Sequence, residues 1–522
     1  MNYTPAQEQA INKRGDSILL SAGAGSGKTR VLVERIIKMI AEEKVSADKL
    51  LVVTFTKADA GEMKNRIAEA LYQKLAENPH SAYLNEQCLL LNNAAITTIH
   101  SFCLDLVREY YYLLDIDANM KVANEVECQL LKEQALDDYL EFKYQQNDDV
   151  FRELLERYGG SEDENIRQII FSIYEQAIAM PDYESWLKNL GKSLADTEIW
   201  LGYMQNEATV KMAQIIKLLQ KAVEYCQMDD KSKEKYLPGF ISDLTLAEKG
   251  ADQLQNSLDA FIEFTDRQEM FNLTVRKNQK AGEYYNQAVS IYREAKNIFA
   301  DLQASLANAH SSQAKADLAE IYPFVRELGL MTYGFGEYYE FAKCQKNILD
   351  FDDMGHLALE LLYDKEGELT PLAKELKERY EAVLIDEYQD TNDLQEKVML
   401  AVSREDNYFM VGDIKQSIYS FRMANPSLFK GKYDSFKAEN KIDMNKNFRS
   451  RANIVTGTND LFTILMPGGD ENPAYKATAM MEFGAEYYQS QEVEDQPLKV
   501  WSIAKNADDK PTEDDEEEEK KQ

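Results

Sequence analysis

The segment Ala22-Gly23-Ala24-Gly25-Ser26-Gly27-Lys28-Thr29 constrains this chain more than any other stretch. It follows a short apolar run, Ile18-Leu19-Leu20, and precedes a helical pattern from Val31 to Ile40. Strand, glycine-rich turn and helix in that order make a phosphate cradle. Glycines let the backbone N–H groups turn inward, and the positive end of the following helix favours an anion. In such a loop Lys28 reaches the β- and γ-phosphates of a nucleoside triphosphate, and the Thr29 hydroxyl ligates Mg²⁺. The first position of the pattern carries Ala22 rather than glycine. A methyl group there excludes only strongly left-handed backbone.

At 522 residues the chain can hold roughly two to four domains. The N-terminal residues lack the basic-then-apolar order of a signal peptide, and no uncharged apolar stretch reaches the ~18 residues of a membrane span. The five cysteines are scattered without a C-x-x-C pair. That fits buried free thiols in a reducing, cytoplasmic compartment. A net charge of −32 argues against binding nucleic acid through overall charge. A local groove with basic and aromatic groups remains compatible with it.

Three textures follow one another. Residues 1–118 alternate β-rich runs, such as Leu50 to Phe55 and Ala95 to Ile99, with helical patterns, which predicts a parallel sheet. Residues 119–345 read as helical throughout. Met212, Ile215, Ile216, Leu219, Ala222 and Val223 make one apolar face there. Residues 346–505 return to strand–helix alternation, with Val383-Leu384-Ile385 and Tyr408-Phe409-Met410-Val411 as buried strands. The acidic stretch 506–522 predicts a disordered tail. The expected fold class is α/β: a parallel-sheet nucleotide-binding core carrying a large all-helical insertion.

The polar motifs cluster at expected strand ends, where open α/β sheets bind ligands. Asp386-Glu387 closes one strand. An aspartate there holds Mg²⁺, and the neighbouring glutamate can orient and deprotonate an attacking water. Gln416, after another strand end, can hydrogen-bond a γ-phosphate. Phe421 beside Arg422 offers a stacking face next to a cation. Arg449, in Asn447-Phe448-Arg449-Ser450, can stabilise charge on the γ-phosphate. Thr54-Phe55-Thr56-Lys57 and His100-Ser101-Phe102 place hydroxyls and aromatics at two further strand ends, a combination suited to single-stranded nucleic acid.

Taken in order, these pieces resemble superfamily 1 helicases of the UvrD/PcrA/RecB type. The matching residues are Thr4, Gln7, Ala10 and Ile11, then A-G-S-G-K-T-R, T-F-T-K-A, I-H-S-F-C, L-D-F-D-D-M, I-D-E-Y-Q-D, V-G-D-I-K-Q-S-I-Y-S-F-R and N-F-R-S. The wording around H-S-F-C-L-D-L-V-R-E-Y-Y-Y and K-Q-S-I-Y-S-F-R is closest to the AddA (RexA) family of helicase–nuclease subunits. The resemblance implies a RecA-like motor core that binds ATP and Mg²⁺. It further implies that Gln7 reads adenine and that Arg30 and Phe448 sandwich the ring. Residues Ala22 to Thr29 would cradle phosphate, with Thr29 and Asp386 as metal ligands. Lys28, Glu387, Gln416 and Arg449 would be catalytic. Thr54, Phe55, Thr56, Lys57, His100, Phe421 and Arg422 would line a DNA path. Lys57 stands where many relatives have Asn, and Phe replaces the common Trp at 421 and Tyr at 448.

The implied activity is an ATP-dependent DNA helicase acting in double-strand break repair by recombination, with a heterodimeric AddB (RexB)-like partner and single- or double-stranded DNA as substrate. The late helicase motifs of a second core and a nuclease strand are not found after residue 450, so slow ATP turnover is expected of this chain alone. Two other readings stay open: a UvrD- or RecB-like helicase of another repair pathway, and a non-catalytic assembly module built on a motor core.

Overall fold

The computed structural model describes residues 3–466 and 480–485, apart from positions 115, 147, 161–162, 196, 229, 269, 274, 276–282 and 308. The expected acidic tail and the end of the last α/β segment lie outside the described residues. The chain divides into two compact units. One combines Met1–Ala118 with the segment from Asp353 onward, and the other is Asn119–Asp352.

The first unit is built on six parallel strands: β1 (Ile18–Ala22), β2 (Leu50–Thr54), β3 (Ala95–Thr98), β4 (Ala382–Ile385), β5 (Tyr408–Gly412) and β6 (Lys441–Met444). Their spatial order is β3-β2-β4-β5-β1-β6. Leu19 faces Met410 of β5 on one side and Lys441 of β6 on the other, and Val52 faces Leu384 of β4. β2 and β4 are buried at every position and β5 likewise, as strands covered on both faces must be. Leu20, Val52, Leu384 and Val411 are fully enclosed in the core beneath helix α2 (Lys28–Ala41) and its neighbours.

All the strands are parallel, so all their carboxyl ends lie along one edge of the sheet. Each candidate segment except Gln7 begins at such an end. Helix α1 (Pro5–Asn12) brings in Gln7. It is pinned by the buried Arg35 of α2, whose Nη1 donates to the carbonyls of Ala10 and Lys13 at 2.7 Å. The Arg35 guanidinium lies 4.2 Å over the Phe409 ring, and burial lowers its pKa to about 9.

The second unit is helical. Its chain starts and ends side by side, because Lys121–Val122 pairs in parallel with Ile348–Leu349. Two apolar clusters fill it. One joins helices Glu125–Gln146 and Glu164–Ile178 to the long helix Ser311–Lys346, through Leu136, Ile170 and Phe335. The other joins Thr197–Gln227, Asp230–Asn256 and Glu283–Leu306. Met212, Ile215, Leu219 and Ala222 are completely buried in that second cluster, with Ile216 and Val223 packed at its margin. A buried ammonium, Lys143 Nζ, is held by Glu327 at 2.6 Å and Asp148 at 3.2 Å, a pairing that such burial demands.

The cysteines depart in part from expectation. Cys103, Cys128 and Cys226 are buried and Cys88 is half-buried, but Cys344 is exposed. It sits near the end of the long helix on the side facing solvent.

Candidate functional site

The glycine-rich turn has the backbone its sequence requires. Gly25 and Gly27 have φ of +71° and +87°, a region that a Cβ disfavours. Gly27 caps the N-terminus of α2, so the first helical N–H groups point into the turn. The helix starts at Lys28, three residues earlier than the apolar periodicity alone indicates. Ala22 is the last residue of β1 and fully buried, so the cradle begins at Gly23 and the missing glycine costs nothing. Ser26 is buried, and its Oγ has no hydrogen-bond partner among the described residues.

Two segments clamp the turn. Gln7 Nε2 donates to the Ser26 carbonyl at 3.0 Å, while Gln7 Oε1 accepts from the Thr4 N–H in a capping box. The Gln7 carboxamide is therefore committed on both sides to protein groups, and it supports the loop as well as facing the adjacent pocket. From β6 onward, Asn447 Nδ2 donates to the Ala24 carbonyl at 2.9 Å and the Phe448 N–H donates to the Gly25 carbonyl at 2.8 Å. A side chain at Gly25 would meet Asn447 and the Arg449 Cβ at 2.9 Å. Arg449 is thereby held beside the cradle. A pocket of about 280 Å³ opens here, lined by Gln7, Ser26, Lys446, Phe448 and Glu482. Arg30 lies 4.8 Å over the ring of Tyr3, an aromatic that sequence reasoning passes over. Nothing in the local pattern marks a stack between residues so far apart in sequence.

Lys28 Nζ meets Glu387 Oε2 at 2.8 Å, joining the end of β1 to the end of β4. Glu387 adopts a left-handed backbone, φ +52°, and its N–H donates to Asp386 Oδ1 at 3.1 Å. Burial, and then the charge of Glu387, push Asp386 up to about 6, against the pull of Lys28. Asp390 is raised to about 6 by burial and by the same glutamate, and its Oδ1 has no partner among the described residues. The folded chain thus binds the Asp386 proton more tightly than an unfolded aspartate of pKa ~3.9 does. That contribution to stability is fully present below pH ~4 and is lost as pH rises through about 6. Asp386→Asn should consequently be more stable than wild type near neutral pH, by on the order of 1–3 kcal/mol. The gain should shrink to almost nothing at pH ~4. Urea unfolding at the two pH values checks this, and equal stabilities near neutrality would contradict it.

A second cluster forms where β2, β3 and β5 end. The Phe55 and Tyr419 rings lie 4.4 Å apart, Tyr419 and Phe421 5.6 Å apart, and the Arg422 guanidinium is 5.8 and 5.9 Å from the last two rings. Phe421 is 70 % exposed. An exposed ring backed by further aromatics and a cation is a surface suited to stacking. His100 sits close enough to Arg422 to feel its charge. Burial first, then that charge, lower its pKa, so the imidazole is neutral at pH 7. Thr56 caps helix α3 (Lys57–Glu77), accepting from the Asp59 N–H, and Thr56 and Lys57 are exposed. Thr54 departs from expectation. It is 3 % exposed, and its hydroxyl donates to the Thr56 carbonyl at 3.0 Å, so it shapes the turn and presents no surface.

Gln416 donates to Asp413 Oδ2 at 2.9 Å, in a short turn whose backbone is also capped by Asp413 Oδ1 through the Lys415 N–H. Gln389 does not stand out in the sequence and Asp413 marks only a strand end there, yet the two join the two clusters. Their signal is present only as part of longer motifs, because the contacts that define them cross from β4 to β5.

A parallel sheet with a glycine cradle after β1 and an acidic pair after β4 defines a RecA-like P-loop nucleoside-triphosphatase core. A family profile for the UvrD/REP helicase N-terminal domain matches residues 3–437. The chain belongs to that family. It is 37% identical over 516 residues to an ATP-dependent helicase/nuclease subunit from Bacillus cytotoxicus (strain NVH 391-98), a match covering 94% of this chain and 41% of that protein. Identity to the protein of the same name in Clostridium perfringens strain SM101 is 38% over 512 residues, covering 93% and 40%. For Bacillus cereus strain AH187 it is 37% over 516 residues, covering 94% and 41%. The chain therefore spans about two-fifths of the length of the curated relatives it matches. Among the described residues, no helix is long and apolar enough to cross a membrane.

Proposed function

We propose that this chain is the N-terminal, ATP-binding motor part of an ATP-dependent DNA helicase/nuclease subunit that acts in double-strand break repair by homologous recombination. Its setting would be the cytoplasm, with an AddB (RexB)-like protein as its partner. The observation that carries the reading is that one sheet edge holds both the Lys28–Glu387 pair and the Phe55–Tyr419–Phe421 stack. A motor needs a triphosphate site and a strand-gripping face on one rigid body. The names of the relatives supply the reaction class.

In this reading Lys28 leaves Glu387 for the β- and γ-phosphates when nucleotide binds, while backbone N–H groups from Gly23 to Thr29 hold the phosphates. Glu387, released from the ammonium, orients the attacking water and accepts its proton. Gln416 and Arg449 contact the γ-phosphate. Phe448 and Arg30 flank the base beside Gln7. Helicase turnover would draw bases of a single strand, or of a duplex end as it opens, across Phe55, Tyr419, Phe421 and Arg422, with His100, Thr56 and Lys57 alongside.

The residues present fit Mg²⁺. Asp386 is buried beside Glu387, and burial first and that neighbouring charge second raise its pKa, so a cation placed there would favour its ionised form. Mg²⁺ takes one or two protein oxygens and completes its shell with phosphates and water. Thr29 and Asp386 would hold it. Bound there, Mg²⁺ would neutralise charge on the β- and γ-phosphate oxygens.

Removing the exposed ring tests the strand-gripping face. Phe421→Ala should weaken binding of a fluorescein-labelled oligo-dT by roughly 5- to 150-fold, the range for one stacked base. Fluorescence anisotropy reads this out, and nucleotide affinity by calorimetry should stay near wild type. Unchanged oligonucleotide affinity would remove Phe421 from the path.

A further inference from the structure

We infer that Gln389 is a positioning residue that ties occupancy of the nucleotide cradle to the arrangement of the aromatic face. The inference rests on the proposed roles of both sites. Gln389 is 1 % exposed, and both ends of its carboxamide and its main-chain carbonyl are used. Nε2 donates to Glu387 Oε2 at 2.9 Å and to Asp390 Oδ2 at 3.0 Å. Oε1 accepts from the Asp413 N–H at 2.9 Å. Its main-chain carbonyl accepts from the Ser417 hydroxyl at 3.3 Å.

The first of these bonds ends on the atom that matters most. Glu387 Oε2 is also the oxygen that pairs with Lys28, at 2.8 Å. One carboxylate oxygen therefore serves two donors, the Lys28 ammonium and a buried amide. When Lys28 turns to a phosphate, Glu387 keeps the Gln389 amide as its remaining donor there. The carboxylate and amide must then settle together. The other end of the amide holds the first residue after β5. Asp413 organises the turn that follows it, through Lys415 N and Gln416 Nε2. Ser417 continues that turn, and two residues further on comes Tyr419, whose ring lies on Phe55.

The packing at the end of β5 makes room for this amide. A Cβ on Gly412 would fall 2.4 Å from Gln389 Oε1 and 3.2 Å from its backbone nitrogen. Glycine at the end of β5 is what admits the carboxamide between the two strand ends. A buried amide with fixed partners on both sides transmits a change on one side to the other, because leaving any of its bonds unmade is costly.

The test is a binding cycle on the full chain. Affinity for Mg²⁺–AMP-PNP is measured by calorimetry with and without saturating oligo-dT, in wild type and in Gln389→Met. Methionine keeps the length and volume but cannot donate a hydrogen bond and is only a weak acceptor. Wild type should show a ratio of affinities within the ~5- to 150-fold range of coupled sites. Gln389→Met should bring that ratio close to one, while each ligand alone binds within about threefold of wild type, which a general loosening of the fold would not produce. If Gln389→Met does not fold, Ser417→Ala removes only the bond to the Gln389 carbonyl and should lower the ratio severalfold. A folded Gln389→Met variant, or failing that Ser417→Ala, that keeps the full wild-type ratio overturns the inference. A wild-type ratio of one overturns it while leaving the two binding sites standing. Absence of binding by either ligand to wild type overturns the functional reading beneath it.

Discussion

Lys28→Ala should lower affinity for Mg²⁺–ATP by on the order of 10²–10³-fold, the consequence of removing one partner from a desolvated, charge-paired contact. Lys28 is mostly buried and pairs with Glu387 at the end of β4, next to Asp386. Without its ammonium, Glu387 and Asp386 stand together stripped of that counter-charge, and the site repels a polyphosphate. The fold should survive, because Lys28 lies at the first turn of α2 and contributes nothing to the apolar core. Glu387→Gln is the informative companion. It removes the carboxylate that competes for Lys28, so nucleotide should bind at least as tightly as to wild type. Calorimetry on the two variants, with melting curves as a control on folding, decides the matter. Undiminished affinity in Lys28→Ala would mean that the cradle does not hold the triphosphate.

The second large effect concerns how the first unit is assembled. β1 and β2 come early in the chain, yet they are not neighbours. β4 and β5, both later than the helical unit, lie between them, and β6 covers the other side of β1. A fragment of residues 1–118 would leave both edges of β1 and one edge of β2 unpaired. It should show no cooperative thermal transition and should bind a hydrophobic dye. Replacing residues 119–352 with a glycine–serine linker should instead retain a cooperative transition and nucleotide binding. Lys121–Val122 and Ile348–Leu349 are neighbours but run parallel, so the linker must run the length of the pair and needs about a dozen flexible residues. A spliced chain that stays unfolded would show that the sheet depends on the helical unit for its stability.

Much of the site is legible in the sequence because its signals are local. A glycine turn between an apolar run and a helix, an acidic pair after a buried strand, and an aromatic beside an arginine each lie within a few residues. How they cluster is not legible in the same way. Thr54 reads as a surface hydroxyl because it ends an apolar run just before Thr56 and Lys57, but it closes its own turn within the sheet end. Gln389 reads as one letter of an acidic motif, but it occupies the gap that Gly412 leaves open.

The sequence by itself determined that the chain carries a phosphate cradle, an acidic strand end and a helical middle. Backbone freedom, capping and apolar periodicity are properties of neighbouring residues. The tertiary structure alone decided that two late strands enter between two early ones, and that one buried amide links Lys28's partner to the Tyr419 turn. Strand order joins residues hundreds of positions apart, and the amide bridges two strand ends that are 24 positions apart. Their energies depend on the whole sheet being formed, so no local window of sequence contains them.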